Sequence, residues 1–219
     1  MNYLCIYSKA PIPGRTKTRL AQGMGNEFAA GLSKSMLLDL CRIAADLNSV
    51  TPQIWHTPDC DRNEFDVNIG EKLTFHKQIG RDLGARLRHT FVELLNRGTS
   101  DNSVVIIGSD CITVNQRILR SIFLDLRTHS VAIQPSEDGG YVMIGKSSNH
   151  PEIFDDVAWG TNSVYQSTIT KLKKRQIKFK AYKAGFDVDT SNDLEKLKNF
   201  ITKEDQPHTY AWLLKHRLI

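Results

Sequence analysis

Cysteine is scarce and poorly placed for chemistry. Only Cys5, Cys41, Cys60 and Cys111 occur, and no two stand in a C-x-x-C spacing. That pattern argues against a structural zinc site and against a disulfide framework. No run approaches the roughly 18 apolar residues that a spanning helix needs, so membrane insertion is not expected. The N-terminus puts an apolar run ahead of its basic residues, the reverse of a secretory signal, and the expected location is the cytoplasm. The seven histidines are scattered and form no spaced ligand set. The G-x-S-x-G elbow is missing, as are the Walker A loop and the G-x-G-x-x-G fingerprint, so a hydrolase triad and the two best-known phosphate loops have no support.

What is present reads as one globular α/β domain. The 219 residues are 40% hydrophobic and 24% charged, enough for one substantial core. Strand and helix patterns alternate nearly to the end. Strands are expected at 3–8, 52–57, 72–77, 103–108, 130–134, 141–145 and 178–182. Helices are expected at about 27–47, 82–95, 115–127, 162–174 and 191–200. The expectation is a three-layer α/β/α domain with a mostly parallel sheet. It covers residues 1–203, and 204–219 form a short helix or tail packed on it. Pro207 reads as a break before that amphipathic segment.

The net charge of +5 suits nucleic acid or a smaller anion. The densest cluster, Lys171 to Arg175 with Lys178 and Lys180, falls on a predicted helix and strand start. It reads as a solvated face without aromatic platforms, so no nucleic-acid partner is expected.

The candidate chemistry lies in loops after strands, where open parallel sheets bind ligands. The loop after the first strand carries Lys9, Pro13, Gly14, Arg15, Lys17 and Arg19. Pro13-Gly14 makes a tight turn, and four basic side chains suit a polyphosphate: arginine as a fork, lysine as a point charge. Asp110 stands just past the most apolar strand and suits a hard cation such as Mg²⁺ or Mn²⁺, or caps its loop. Asp187 and Asp189 alternate, so an extended chain puts both on one side, where a cation would relieve their repulsion; alternatively one of them caps the helix that begins near Ser191, itself the expected cap. Asp193 reads as structural. Asp138, Gly139 and Gly140 form a turn that admits a close substrate or simply reverses the chain. Gln78, Gly80 and Arg86 surround a helix start, with Asp82 as its cap. Trp159 is either core or a pocket wall.

Six segments taken together resemble the nucleotide-diphospho-sugar transferase superfamily with its GT-A fold. They are KAPIPGRTKTRL (9–20), QIGRDLGAR (78–86), GSDCI (108–112), DGGY (138–141), WGT (159–161) and DVDTSNDL (187–194). Within that superfamily the chain looks like a bacterial glycosyltransferase-like family also labelled radical-SAM/selenodomain-associated transferase. Ile112 departs from the proline usual there.

The resemblance implies a transferase with a nucleotide or nucleotide-sugar substrate and a small acceptor. The N-terminal loop would hold phosphates. Asp110 would bind the metal with Asp189 or Asp187, and Asp138 to Tyr141 would line the acceptor side. Lys17 and Arg19 would join Asp110 and Asp138 as catalytic groups. Glycosyl transfer from a nucleotide sugar is the leading expectation. Nucleotidyl transfer from a triphosphate, with loss of pyrophosphate, is the alternative, and a noncatalytic nucleotide-binding module is the rival from another class.

Overall fold

The computed structural model describes residues 1–67, 72–98 and 101–219. One sheet carries seven strands: β1 (Asn2–Ser8), β2 (Thr51–His56), β3 (Thr74–Lys77), β4 (Ser103–Gly108), β5 (Val131–Pro135), β6 (Tyr141–Lys146) and β7 (Phe179–Ala181). Their spatial order is β3-β2-β1-β4-β6-β5-β7. The β1–β2, β2–β3, β1–β4 and β5–β7 pairs are parallel, and β6 alone runs antiparallel to its neighbours β4 and β5. The helices are α1 (Thr18–Met24), α2 (Asn26–Ala45), α3 (Leu83–Leu95), α4 (Gln116–Asp125), α5 (Val164–Lys174), α6 (Ser191–Phe200) and α7 (Pro207–Lys215).

The layers follow from strand periodicity. On β1, Leu4 and Ile6 face Leu37 and Leu40 of α2 and Ile122 of α4. Tyr3 and Cys5 face the opposite way, toward Leu87 and Phe91 of α3 and Leu172 of α5. β4 divides likewise, with Val105 and Ile107 on the first face and Val104 and Ile106 on the second. A strand covered on both faces has no polar positions to spare, which explains its unbroken β-branched run. The fold is thus three layers, α/β/α, around a mixed sheet. A third cluster joins Leu20 of α1, Leu32 of α2, Leu194 and Leu197 of α6 and Leu213 of α7. Each such leucine contributes about 1.5–3 kcal/mol on burial. No helix among the described residues is long and apolar enough to cross a membrane.

Several element boundaries differ from expectation. Residues 18–24, expected to continue the loop, form α1, a helix too short to show a period and held by buried Leu20. α5 opens at Val164, not Asn162. The cap of α6 is Thr190 rather than Ser191. Asp193 Oδ2 accepts from the N–H groups of Asp189 (3.1 Å) and Thr190 (2.8 Å) and from the Thr190 hydroxyl (2.8 Å). Pro207 starts a helix instead of ending one, because a first-turn N–H is unpaired in any helix. The next two N–H groups donate to buried Asp39 of α2, from His208 at 2.9 Å and Thr209 at 2.8 Å.

Candidate functional site

β1, β2 and β4 are adjacent and parallel, so the loops that leave their carboxyl ends converge. Two cavities open there, of about 440 Å³ and 420 Å³, and share Tyr7, Arg19, Leu83 and Asp110 as a common wall.

The larger cavity is basic. Lys9, Arg15, Lys17, Arg19 and Arg86 line it against two carboxylates, Asp110 and Asp189. The turn that aims the first loop closes with Arg15 N–H donating to the Ile12 carbonyl at 3.0 Å, and Gly14 holds φ +78°. Pro13 and Gly14 shape this loop without lining the cavity. Arg15 is partly committed, donating at 2.5 Å to Glu64 Oε1 and to the Asp59 carbonyl. Gln78 is buried in the wall, its amide donating to the Trp55 carbonyl at 2.7 Å. Gly80, at φ +146°, packs so tightly on the start of α3 that a Cβ would lie 2.7 Å from Arg86 N. Arg86 Nε donates to the Gly80 carbonyl at 3.2 Å, and Asp82 caps α3 by accepting from Ala85 N at 2.8 Å.

The smaller cavity has the opposite charge. Asp110, Asp138 and Asp187 line it, with Arg19 at the shared wall and an apolar side that includes Tyr141 and Trp159. Ser136 Oγ donates to Asp187 Oδ1 at 3.1 Å. Burial, then the negative charges of Asp110 and Asp138, push the Asp187 carboxyl above its usual range. Asp138 Oδ1 accepts from Gly140 N at 3.0 Å. Gly139 holds φ +90° against the backbone of Asn162, where a Cβ would collide with the carbonyl.

The two aspartates of the 187–190 segment line different cavities. Val188 turns into the core between them. Asp187 enters the acidic cavity, and Asp189 Oδ2 meets Arg19 Nη1 at 3.1 Å beside the basic one. Among the described residues no group of three His, Cys, Asp or Glu side chains is gathered to hold a metal ion. Asp110 and Asp187 do form a hard-oxygen pair in mutual repulsion, which fits magnesium or manganese chemistry. The Lys17 ammonium lies against Asp110 Oδ2.

Sequence reasoning missed Ser8, Thr57, Ser109 and Tyr7 in the cavity walls. All four stand at or just past the ends of β1, β2 and β4, the positional signal that singled out Asp110. Ser136, just past β5, carries the same signal; Ser33 lies inside α2, and nothing in the local sequence marks it.

The sequence matches, over residues 40–161, the family described as "Uncharacterized protein conserved in bacteria (DUF2064)". No curated protein matches it. Among solved structures, a protein of Desulfovibrio desulfuricans G20 superposes with a TM-score of 0.88 at 31% identity, over 99% of this chain and 95% of that one. Its provisional description is nucleotide-diphospho-sugar transferase. Two others share the fold at low identity. CMP:2-keto-3-deoxy-manno-octonic acid synthetase complexed with CTP has a TM-score of 0.56 at 12% identity, over 93% of this chain and 99% of that one. The 2-C-methyl-D-erythritol 4-phosphate cytidylyltransferase of Francisella tularensis has 0.55 at 12%, over 91% and 99%. With a family match across more than half its length and a relative aligned almost end to end, the chain belongs to the DUF2064 family and has the nucleotide-diphospho-sugar transferase/nucleotidyltransferase fold.

Proposed function

We propose that the protein is a nucleotidyltransferase: an acceptor oxygen attacks the α-phosphorus of a nucleoside triphosphate, and pyrophosphate leaves. The observation that carries this reading is the basic cavity at the carboxyl ends of β1, β2 and β4, joined through Asp110 to a second cavity of opposite charge. A triphosphate needs several cations along its length, and a leaving pyrophosphate needs them more as its charge grows. Lys9, Lys17, Arg19 and Arg86 supply them, with Arg15 at the rim and the Pro13-Gly14 turn fixing the loop. Gln78 and Gly80 shape the opposite wall. Several proteins of this fold are named as synthetases or cytidylyltransferases, one of them solved with CTP.

Asp110 and Asp187 are the residues that would hold Mg²⁺ or Mn²⁺, and Asp189 serves Arg19 instead. A divalent ion there would neutralise charge on the phosphates. Asp138, Gly139 and Gly140 face the acceptor. Juxtaposition and fixed charge can supply much of the rate in such a transfer, so the reaction needs no histidine base.

Glycosyl transfer is the second reading, favoured by the description of the 31% identical relative. Calorimetric titration with the four triphosphates and common nucleotide sugars, with and without each metal, on wild type and Asp110→Ala separates the two. Tight, metal-dependent binding of a triphosphate, lost in Asp110→Ala, is expected. Preference for a nucleotide sugar moves the assignment to glycosyl transfer. No metal-dependent binding of any of them leaves a noncatalytic module.

A further inference from the structure

The two cavities differ in sign, and the difference constrains what each can hold. The basic one suits a polyanion. The smaller one sets Asp110, Asp138 and Asp187 against Arg19, and Arg19 is already paired with Asp189 at 3.1 Å. No lysine lines it among the described residues. Asp110 meets the Lys17 ammonium at 3.2 Å; a divalent ion shared by Asp110 and Asp187 in its place would cancel those two charges, and in either case Asp138 has no cationic partner among the described residues. A phosphate monoester brings about −1.5 to −2 charges and several acceptor oxygens. Among the described lining residues only Arg19, already shared with Asp189, could meet them. Like charges placed together are a strong discriminator between ligands.

The polar groups of this cavity want donors. Carboxylates accept hydrogen bonds, so Asp138 and Asp187 suit hydroxyl groups. The apolar side, where Tyr141 and Trp159 meet edge to face at 6.2 Å between centroids, suits the C–H face of a ring.

We infer that the acceptor is an uncharged, hydroxyl-bearing molecule of sugar or polyol type, and not a phosphate ester. The inference rests on the nucleotidyltransferase reading. In that reaction an acceptor hydroxyl oxygen bonds to the α-phosphorus. The bond from that phosphorus to the bridging oxygen breaks, its electron pair leaves with pyrophosphate, and the hydroxyl proton passes to solvent.

The test is a ligand-observed NMR titration of hexoses, pentoses, inositol and glycerol, each beside its phosphate ester, with and without nucleotide. Wild type is compared with Asp138→Asn and Asp138→Lys. Asp138 is exposed on its turn, so these changes leave the core alone. The uncharged member of at least one pair should bind wild type about tenfold tighter than its ester. Asp138→Asn should narrow that gap and Asp138→Lys reverse it. Esters that bind wild type as tightly as their parent compounds overturn the inference, and so does a panel in which nothing binds. Titration of the four triphosphates into the same samples keeps the two ideas apart. If no triphosphate binds, the nucleotidyltransferase reading fails while the nucleotide-free titrations still judge the cavity.

Discussion

The Lys17 ammonium sits 3.2 Å from Asp110 Oδ2 and 2.5 Å from the Val188 carbonyl oxygen, with only 6% of the side chain exposed. Lys17 reaches this place from a left-handed backbone, φ 44° and ψ 49°, at the start of α1. Such a conformation costs a residue with a Cβ about 1–3 kcal/mol, so packing and hydrogen bonds must hold it. The ammonium neutralises Asp110 where a divalent ion would bind, and the two cations compete for one carboxylate. Lys17→Met should therefore bind Mn²⁺ in the absence of nucleotide about tenfold or more tighter than wild type, read by electron paramagnetic resonance of the free ion. Equal affinities would show that the ammonium and the metal do not share Asp110.

Gly139 and Asn162 form a second close relationship. At φ +90°, with the Asn162 carbonyl where a Cβ would stand, Gly139 has no tolerable replacement. Gly139→Ala should cost about 2 kcal/mol or more, through backbone strain and displacement of the 160–162 loop. For a chain of this size that lowers Tm by about 4–8 °C. The damage falls on the wall of the acidic cavity. Turnover should drop at least about tenfold while triphosphate affinity stays within about threefold. A parallel loss of nucleotide affinity would mean that the two cavities are not separable.

Much of this arrangement was legible in the sequence. The run Val104 to Ile107 marked a doubly covered strand, and Asp110 was found from its place just beyond it. Asp82 was recognised as a cap, and it does cap α3. What escaped depends on partners distant in sequence. Alternation put Asp187 and Asp189 on one side of their segment, but Asp189 lines the basic cavity and meets Arg19, a partner 170 residues away. Lys17 read as one more cation of a basic loop, and it does line the basic cavity. Its inward turn follows from the Val188 carbonyl, which no local pattern reveals. Nor does any local pattern show how α2 is shared between two clusters: Phe28, Leu32 and Met36 pack with α6 and α7, while Leu40, Ile43 and, just past its end, Leu47 pack with the sheet.

Asp39 shows the same limit and carries a prediction about the C-terminal helix. Its buried carboxylate accepts from His208 N, Thr209 N and the Thr209 hydroxyl at 2.6–2.9 Å, fastening the first turn of α7 to the middle of α2. The helix also lays Trp212 over Gly31, where any Cβ would strike the indole ring. Asp39→Ala strands two buried donors and should cost about 2–4 kcal/mol. Tm should fall by roughly 4–16 °C at that cost. Nucleotide affinity should not change, since neither cavity includes α7. A variant as stable as wild type would mean that α7 is held by its apolar face alone.

Lys146 makes stability itself depend on pH. The side chain is fully buried at the end of β6, against the stacked rings of Phe91 and Phe154, with its ammonium 5.1 and 5.2 Å from their centroids. Its ammonium donates to the His150 carbonyl at 2.9 Å. Burial pulls its pKa down to about 7; Glu152 opposes that shift and Arg88 reinforces it. In the unfolded chain the same group titrates at about 10.4. Below pH 7 it is charged in both states, and the full cost of burying the charge is felt. Between pH 7 and about 10.4 the unfolded chain keeps a proton that the native one has lost, so stability rises with pH, by at most about 1.4 kcal/mol per unit. Lys146→Met removes the titrating group and keeps most of the volume. Thermal melts of both proteins from pH 6.5 to 9 should show wild type gaining on the variant as pH increases. A difference in stability that does not change with pH would mean that Lys146 keeps its proton inside the fold.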